Sequence, residues 1–553
     1  MSLTAPSFQS TIPPRKGIGT KVVRNTAAGF LRLLVTAPVP FLLTPFLIRH
    51  IGIAGVGAWA ILLSINSLTT FADLGFPGTL TKHVSEHFTR ADYPKLNRVV
   101  NAGILIFLTI ALVWVMLVNV GNRIILSLFF RHATSEPSHF QHALHLLTFA
   151  IALNLISTPF MSILSGLQRL DLVNMFWTSS SVLTAICAAL FVSLGWGING
   201  LVGALVVTSA TMFVMGVSTA WLLLPQLRIR PRSVRLTDIR ELSSFSAQMY
   251  VAQIATAVYI HTEKLLLAHF VGLTPAGWYD IANDLAQKIR NAPALLVVPL
   301  MPAAAELDAR RDDVRTRELY YRTHKYLACI GCALIGVVLL LAHRFVELWL
   351  GPGFTGTTRA LMVLTGVQIA NLGCGPALLI LIGRGDLRPT VKFAILGMVG
   401  TLSISSVLIA MFGFTGALYG TSISVLTASA YLINVFHQRT GYPRIKLARI
   451  YVKPILSIGL LVLLARIVLP LAHFRWPGVV ITGATIVIIH GFVLLLTRYF
   501  DVFDLSALER LIPVPNLLRN SPFITDHMPH PEGLRRNEML GPTEPDGMRQ
   551  EAP

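Results

Sequence analysis

Apolar segments of about 20 residues recur along the whole chain and alternate with short polar segments. A helix needs about 20 apolar residues to cross roughly 30 Å of hydrocarbon, so each segment predicts one membrane-spanning helix. The pattern predicts an all-α polytopic membrane protein with fourteen spans, near 25–48, 55–78, 99–120, 141–165, 173–195, 200–224, 244–270, 276–302, 325–349, 358–382, 390–412, 414–436, 451–471 and 478–497.

A long internal repeat lies within this pattern. The segment 46–61 reappears at 266–281 without a gap, at an offset of 220 positions, and a second match at an offset of 217 follows later in each half. The corresponding positions are Gly52 and Gly272, Gly57 and Gly277, Glu86 and Glu306, Arg90 and Arg310, Asp92 and Asp312, Pro159 and Pro376, Gly166 and Gly383. Many secondary transporters are built from duplicated halves that enclose the substrate site. The repeat therefore predicts two parallel six-helix halves around a central cavity, and a protein that moves a substrate across a bilayer.

The repeat also predicts how the chain is divided. The predicted regions are an N-terminal segment (1–24), an N-lobe of helices 1 to 6 (25–224), a basic linker loop (225–243), a C-lobe of helices 7 to 12 (244–437), helices 13 and 14 (451–498) and a tail (499–553). The N-terminal segment lacks the apolar core and cleavage site of a signal peptide, so we expect the first helix to direct membrane insertion. The tail is rich in proline and charge, and we expect it to have little fold of its own.

Composition and charge distribution support a membrane protein with a defined orientation. Hydrophobic residues make up 54% of the 553 residues, charged residues 13%, and the mean hydropathy is +0.65. A net charge of +19 suggests nucleic acid as the partner of a soluble protein. Here 34 of the 45 Lys and Arg residues lie in loops on one predicted side, 6 on the other and 5 within spans. The positive-inside rule then predicts that both termini are cytoplasmic and argues against nucleic acid.

Charged residues inside the predicted spans are the candidates for function. A charge at the bilayer centre costs about 2.5 to 3.5 kcal/mol, so it normally faces a wet cavity or a partner. The predicted substrate-binding cations are Arg24, Arg32, Lys264, Lys288 and Arg290, and the predicted coupling or gating acids are Asp73, Glu263, Asp280 and Asp284. We expect these side chains to form a cationic chamber toward the cytoplasm, with acids nearer the outer mouth. Such a chamber suits a phosphate or pyrophosphate headgroup, and the acids suit a coupling proton or cation.

The arrangement of these charges leaves alternatives open. Asp280, Asp284 and Lys288 recur every four residues and so share one helical face, with Arg290 on the far side. Asp284 before Lys288 is also the favourable order for a local ion pair. One alternative is that Asp280, Asp284 and the neighbouring residues 263–264 lie at the outer interface and reach water. Another is that Lys288 and Arg290 take part in ion pairs that only hold helices together.

Two further features have structural as well as functional interpretations. Helix 1 carries Pro38, Pro40 and Pro45, which bend a helix, so it is either a moving part or a fixed kink. The four cysteines all lie in apolar segments, where small packing residues are expected. We expect no cofactor, no metal and no catalytic residue.

Four motifs resemble polysaccharide flippases of the multidrug, oligosaccharidyl-lipid and polysaccharide exporter (MOP) superfamily. They are FLLTPFLIRHIGIAGVGAWAILLSINSLTTFADLGF (41–76), SGLQRLDLVN (165–174), TEKLLLAHFVGLTPAGWYDIA (262–282) and LWLGPGFTG (348–356). The resemblance covers roughly residues 20–440. It implies two lobes that open alternately to each side of the membrane, and cationic cavity residues in the region of Arg24 and Arg32.

The resemblance also implies a substrate and a location. The cargo would be an undecaprenyl-pyrophosphate-linked oligosaccharide carried from the cytoplasmic to the periplasmic leaflet of a bacterial inner membrane, for O-antigen, capsule or exopolysaccharide synthesis. Implied partners are membrane lipid, a polysaccharide polymerase and other assembly proteins.

Other functions remain as alternatives. A multidrug antiporter of the same superfamily would need an acidic cavity for cationic drugs, which the basic chamber disfavours. A membrane polymerase or glycosyltransferase would need a sizeable outer loop for chemistry, and the longest predicted outer loop is 121–140, without paired acids. An ATP-driven exporter is disfavoured because the chain has no Gly-Lys dipeptide and so no phosphate-binding loop of the usual kind.

Overall fold

The computed structural model describes residues 32, 35–36, 38–67, 75–130, 137–230, 232, 234–243, 247–294, 297, 300–468, 475–501 and 504. The regular elements of this part of the chain are helices. They are α1 (Pro38–Ser67), α2 (Phe76–Thr89), α3 (Tyr93–Phe129), α4 (Pro137–Gly166), α5 (Leu170–Ser193), α6 (Gly197–Leu223), α7 (Leu236–Ser243), α8 (Ala247–Phe270), α9 (Leu273–Ala294), α10 (Leu300–Ala309), α11 (Asp313–Leu350), α12 (Thr355–Gly383), α13 (Arg388–Gly400), a π turn (Thr401–Ser405), α14 (Ser406–Thr440), α15 (Arg444–Val468) and α16 (Trp476–Leu496).

The predicted all-α membrane class is confirmed. Within the described residues, ten helices are long and apolar enough to cross a membrane. Two of these helical stretches are broken by a glycine with non-helical backbone angles, Gly52 in α1 and Gly413 in α14, close to where one predicted span ends and the next begins. Helices α8 and α9 coincide with the predicted spans 244–270 and 276–302 but are less apolar than the ten. The count of fourteen stays a prediction.

The sequence repeat is also a repeat of local structure. Ala91 and Arg311, related by the offset of 220, both adopt a left-handed conformation with φ 55°. The next residues, Asp92 and Asp312, cap α3 and α11 by accepting a hydrogen bond from the backbone N–H three positions on, at 3.1 and 3.0 Å. The same turn contains two corresponding ion pairs, Glu86 with Arg90 and Glu306 with Arg310.

The matches at an offset of 217 belong to the same structural repeat. A Cβ added to Gly166 would lie 2.9 Å from the carbonyl oxygen of Thr81, and one added to Gly383 would lie 2.6 Å from that of Met301. Thr81 and Met301 are themselves related by the offset of 220. In each half a glycine therefore allows two helices to cross at backbone contact, α4 over α2 and α12 over α10.

The halves share one apolar core. Helix α4 packs on α6 in the first half and α12 on α14 in the second, while α1 packs on α9 across the halves. The largest buried cluster includes Ile61 and Leu62 of α1 together with Ala276 and Ala282 of α9. Helices α15 and α16 lie against α11, outside the repeat. The boundaries of the predicted lobes stay predictions.

The predicted linker loop 225–243 contains one short helix, α7. Asp238 in its first turn accepts a hydrogen bond from the backbone N–H of Arg235 at 3.1 Å, which caps the helix. Its carboxylate also lies 3.9 Å from the Arg98 guanidinium of α3. These contacts stabilise a helix that the charge-rich composition of the linker did not indicate.

Candidate functional site

The two halves touch at a pair of corresponding glycines on α1 and α9. A Cβ added to Gly57 would lie 1.8 Å from the carbonyl oxygen of Leu273, and a Cβ added to Gly277 would lie 2.8 Å from that of Ile53. Ile53 and Leu273 correspond at the same offset as the glycines, so each half makes the same contact with the other. We call these four residues the glycine seam. At the glycine seam the two halves are in backbone contact, and the predicted topology places this contact at the extracytoplasmic end of the helices.

A polar cavity of about 350 Å³ lies within the first half, and we call it the N-lobe cavity. Its walls come from Arg32 and Thr36, which precede α1, from the end of α1, and from α4, α5 and α6. The lining residues are Arg32, Thr36, Asn66, Ala150, Asn154, Trp177, Ser180, Ser181, Thr184, Leu205, Thr208, Ser209 and Met212. Among these residues Arg32 carries the charge and the others are mostly hydroxyl or amide side chains.

Arg32 is held against one face of α5. Its Nη1 donates to the Oδ1 of Asn174 at 3.4 Å, and its guanidinium carbon lies 5.7 Å from the Trp177 ring centroid, in cation–π range. Trp177, Ser181 and Thr184 are spaced by three or four residues and therefore line one helical face. The cavity can thus bind an anion through the guanidinium and hydroxyl-rich groups through its amides and hydroxyls.

A second cavity, of about 360 Å³, lies between α1, α9 and α11, and we call it the inter-lobe groove. Its lining residues are Pro38, Pro40, Phe41, Thr44, Ile281, Asp284, Leu285, Lys288 and Trp349. The Nζ of Lys288 donates to the Asp284 carboxylate one turn earlier, which is the local pair that the helical spacing predicts. This pair is half-exposed, so it can be opened by a charged ligand that enters the groove.

The proline-rich start of α1 is attached to the second half. Phe41 stacks on Trp349 with ring centroids 5.0 Å apart, and the Trp349 Nε1 donates to the Phe41 carbonyl oxygen at 2.8 Å. Because the same chain segment also carries Arg32, one segment borders both the N-lobe cavity and the inter-lobe groove.

Lys264 and Asp280 form an ion pair between α8 and α9. Their Nζ and Oδ1 atoms lie 2.6 Å apart, and their side chains are 10% and 23% exposed. Lys264 is thus paired with Asp280 in this structure, and its depth in the membrane stays a prediction. A pair with little access to water is costly to break, because removing one partner leaves the other charge uncompensated.

Glu263, the residue before Lys264, points away from α9 and toward the π turn. Its side chain is buried, and its Oε1 accepts a hydrogen bond from the Ser405 Oγ at 2.6 Å. Its Oε2 is buried and makes no hydrogen bond of full geometry within the described part of the chain, although the Thr421 hydroxyl also interacts with this carboxylate. Ser405 ends the π turn, an irregularity that often marks functional positions in helices. Glu263 is thus buried between helices, and its depth in the membrane stays a prediction.

The remaining predicted residues lie apart from these groups. Arg290 is half-buried, its Nη2 donates to the Oδ1 of Asn291 at 3.2 Å, and its Nε is buried without a partner among the described residues. Arg24 and Asp73 lie outside the described residues. Arg32 and Lys288 line different cavities, so the predicted cationic chamber is divided in this structure.

Sequence reasoning missed the uncharged part of the N-lobe cavity. Trp177, Ser180, Ser181 and Thr184 were not among the predicted site residues, although a run of hydroxyl side chains within the apolar span 173–195 is visible in the sequence. In a span, such groups are read by default as helix–helix hydrogen bonds. Their role as a cavity wall requires the position of three other helices.

Comparison with known proteins places this architecture in a family. Residues 22–307 match the model of a family described as polysaccharide biosynthesis protein. A putative O-antigen transporter of Shigella flexneri is 19% identical over 311 residues, which are 56% of this chain and 72% of the relative. The uncharacterized membrane protein EpsK of Bacillus subtilis (strain 168) is 22% identical over 275 residues, 48% of this chain and 53% of that protein.

Solved structures show a similar fold. An inward-facing multidrug resistance MATE family transporter of the MOP superfamily has a TM-score of 0.62 at 13% identity, covering 75% of this chain and 98% of that one. The lipid II flippase MurJ in an inward closed conformation also has a TM-score of 0.62 at 13% identity, and covers 87% of this chain and 99% of that one. This chain is a multi-pass membrane protein that belongs to the polysaccharide biosynthesis protein family and has the fold of MOP-superfamily transporters.

Proposed function

We propose that this protein is a flippase that carries an undecaprenyl-pyrophosphate-linked oligosaccharide from the cytoplasmic to the periplasmic leaflet of a bacterial inner membrane, with both termini cytoplasmic. The family match and the relative named a putative O-antigen transporter support this substrate class. The observation that carries the proposal is the N-lobe cavity, in which Arg32 stands among hydroxyl and amide groups beside Trp177.

The chemistry of that cavity fits a glycan better than a cationic drug. Sugars offer many hydroxyls, which Asn154, Ser181 and Thr208 can bind as donors or acceptors. The apolar face of a sugar ring packs on an aromatic ring such as Trp177. A cationic drug would instead meet the Arg32 guanidinium, and the described residues that line this cavity include no carboxylate.

The inter-lobe groove supports a place for the pyrophosphate. Lys288 lies there beside the apolar residues of α1, and a phosphate oxygen can replace Asp284 as its partner. In this proposal the headgroup passes along the start of α1, from Arg32 to Lys288, while the lipid tail stays in the bilayer. Helices α1 and α9 then separate at the glycine seam to release the headgroup on the other side.

Glu263 is the proposed coupling site. A buried carboxylate whose partners in the described part of the chain are hydroxyl groups, those of Ser405 and Thr421, can take up a proton or a small cation. Uptake or release at this position would change the packing of α8 against the π turn, and so link an ion gradient to the movement of the second half.

The test measures which leaflet holds the lipid-linked glycan in cells, with an enzyme that labels outward-facing glycan. We expect depletion of the protein to leave glycan on the cytoplasmic side, Arg32→Ala to do the same at normal membrane abundance, and Arg32→Lys to retain part of the export. Arg310→Ala, which removes an exposed arginine paired with Glu306, is the matched control and should export normally. If the lipid-linked glycan reaches the outer leaflet normally but is not polymerised, the protein would instead be a membrane polymerase or glycosyltransferase.

A further inference from the structure

A third polar cavity lies on the flank of the second half, where the first turns of α11, the start of α15 and the chain after α16 meet. Its volume is about 510 Å³, and we call it the basic pocket. Seven Lys or Arg side chains line it against two acids, Glu318 and Asp501. It shares no lining residue with the N-lobe cavity or the inter-lobe groove.

Two of the seven cations are neutralised within the pocket. Lys325 bonds the buried carboxylate of Asp504 and lies 3.3 Å from Asp501, and Arg322 lies 2.7 Å from Glu318. The other five cations are exposed and, within the described chain, lie outside ion-pair distance of any carboxylate: Arg317, Lys446, Arg449, Lys453 and Arg498. Among the described residues, the rim of the pocket therefore carries five cations without an ion-pair partner.

Tyrosines hold the walls of the basic pocket together. The Tyr321 Oη of α11 donates to the Pro443 carbonyl oxygen at 2.9 Å, just before α15. The Tyr499 Oη, after α16, lies 3.1 Å from the carbonyl oxygens of both Lys325 and Ile450. These bonds tie all three chain segments together, so the pocket is formed before any ligand binds and little ordering is needed on binding.

The repeat shows that this surface is specific to the second half. At the offset of 220, Arg317 and Tyr321 correspond to Asn97 and Asn101. In the first half both asparagines bind the linker backbone at 226–230, with hydrogen bonds of 2.7 to 2.9 Å, and the linker covers the surface. In the second half cationic and aromatic side chains replace the asparagines, and the equivalent surface is an open pocket.

The surroundings of the basic pocket are apolar and exposed. Val314 and Ile445 stand beside it, and the outward face of α15 continues through Val452, Leu456 and Leu463, all exposed. In a membrane protein, a long exposed apolar face is the face that contacts lipid. A ligand that fits the whole surface thus has a negatively charged head and an apolar tail.

We propose that the basic pocket binds the phosphate headgroup of an anionic phospholipid, whose acyl chains lie along α15. Basic pockets between helices at the cytoplasmic side attract such headgroups, and arginine binds phosphate oxygens through two parallel hydrogen bonds. A soluble phosphate compound would use the cations but leave the apolar face without a role. The proposal does not depend on which substrate the protein transports.

The test uses the full-length protein in nanodiscs of phosphatidylcholine with an increasing fraction of phosphatidylglycerol or cardiolipin. Native mass spectrometry counts the anionic lipids retained, and titration gives their affinity. The variant is Arg317→Gln/Arg449→Gln/Arg498→Gln, which removes three rim cations that make no ion pair with the described chain. The matched control, Arg90→Gln/Arg310→Gln/Arg315→Gln, removes the same charge from exposed ion pairs elsewhere.

We expect the wild type and the control to retain anionic lipid, and the variant to bind it about a hundredfold more weakly, from roughly one surface-charge interaction per removed cation. Thermal unfolding in pure phosphatidylcholine checks that the variant folds as the wild type does. Equal lipid binding by variant and control would overturn the proposal. Displacement of the lipid by millimolar inorganic pyrophosphate, with no preference for anionic over zwitterionic lipid, would also overturn it, since a soluble phosphate would then be the ligand.

Discussion

At the scale of single residues, adjacent charges on α8 have separate tasks. Lys264 turns toward α9 and is neutralised by Asp280, while Glu263 turns toward the π turn with Ser405. Residues next to each other on a helix point about 100° apart, so one cannot substitute for the other. The ion pair stabilises the contact between α8 and α9, and the lone carboxylate is left as the group that can change its charge.

We predict that Glu263→Gln uncouples transport from its ion gradient. Glutamine keeps the shape and can still accept the Ser405 hydrogen bond, but it cannot release a proton or hold a cation. A coupling free energy of about 1–3 kcal/mol corresponds to a loss of about 5- to 150-fold in export. Export of outward-facing glycan is measured with and without a protonophore or a sodium ionophore. Glu306→Gln, an exposed acid paired with Arg310, is the control, and unchanged gradient dependence in Glu263→Gln would refute the assignment.

We predict that Asp504 makes the stability of the folded protein depend on pH. Burial by itself raises the pKa of this carboxyl, but hydrogen bonds from Lys325, Tyr326 and the Asp501 backbone overcome burial and hold the pKa below its ordinary value. A carboxyl with a lowered pKa stabilises the folded state above the ordinary value of about 3.9, and that contribution is lost as the pH falls through the lower folded value.

The contribution of Asp504 to the unfolding temperature in detergent should therefore be constant between pH 7 and pH 5 and should decrease below about pH 3.9. Asp504→Asn should unfold at a lower temperature at pH 7 and lose this acid-dependent part, whereas Glu306→Gln, at an exposed ion pair, should keep it. A wild-type profile that Asp504→Asn does not alter would contradict the prediction.

Whether the partner of a charged residue could be predicted depends on how far apart the two residues lie in the sequence. The pair of Lys288 with Asp284 follows from helical spacing alone. The pair of Lys264 with Asp280 depends on the angle between α8 and α9, which no periodicity contains. For the same reason, buried Glu263 could be identified as a charge within a span, but its partner Ser405, 142 positions away, could not.

At the scale of helices, glycines decide where elements break and where they touch. Gly52 and Gly413 have positive φ values of 69° and 57° and interrupt helices that would otherwise run on. The sequence located these breaks through Arg49 and His50 beside the first and through the glycine spacing Gly413, Gly416 and Gly420 at the second. The sequence shows that Gly57 and Gly277 occupy corresponding positions of the repeat. It does not predict that they are in contact, since a repeat carries no information on which surfaces of its copies meet.

We predict that Gly57→Ala opens the glycine seam. The added methyl would overlap the Leu273 carbonyl, so α1 and α9 must move apart, at a cost of about 1–3 kcal/mol for overpacking. Gly366→Ala on α12, where an added Cβ meets nothing within 4 Å, is the matched control, and should be neutral or slightly stabilising because alanine favours the helix. Thermal unfolding of both variants decides this, and equal stability would mean that the seam is not under this constraint.

At the scale of the whole molecule, the repeat accounts for the symmetric contacts at the glycine seam, whereas the cavities lie where the two halves differ. Each half makes the same contact across the seam, so the halves can separate there without breaking the contacts within each half. The halves differ at the proposed sites: Arg32 and a hydroxyl-rich cavity lie in the first, and Glu263 at the π turn lies in the second. The repeat could be predicted from sequence, and the lobe boundaries stay predictions. The cavities could not be predicted, because each is built from side chains of three or more separate chain segments.

The proposed transport cycle separates the halves at the glycine seam, so we predict that a covalent link across the seam stops transport. Ile53→Cys/Leu273→Cys places thiols at corresponding positions on α1 and α9, beside Gly57 and Gly277. Treatment of cells with a short, thiol-cleavable bifunctional reagent should abolish outward-facing glycan, and a reducing agent should restore it. The two variants that carry only one of these substitutions, and so only the four native cysteines besides, should export normally after the same treatment. Full export by the linked double variant would mean that the halves need not part at this end, and the rocking of two lobes about their contact would have to be replaced by movement within one of them.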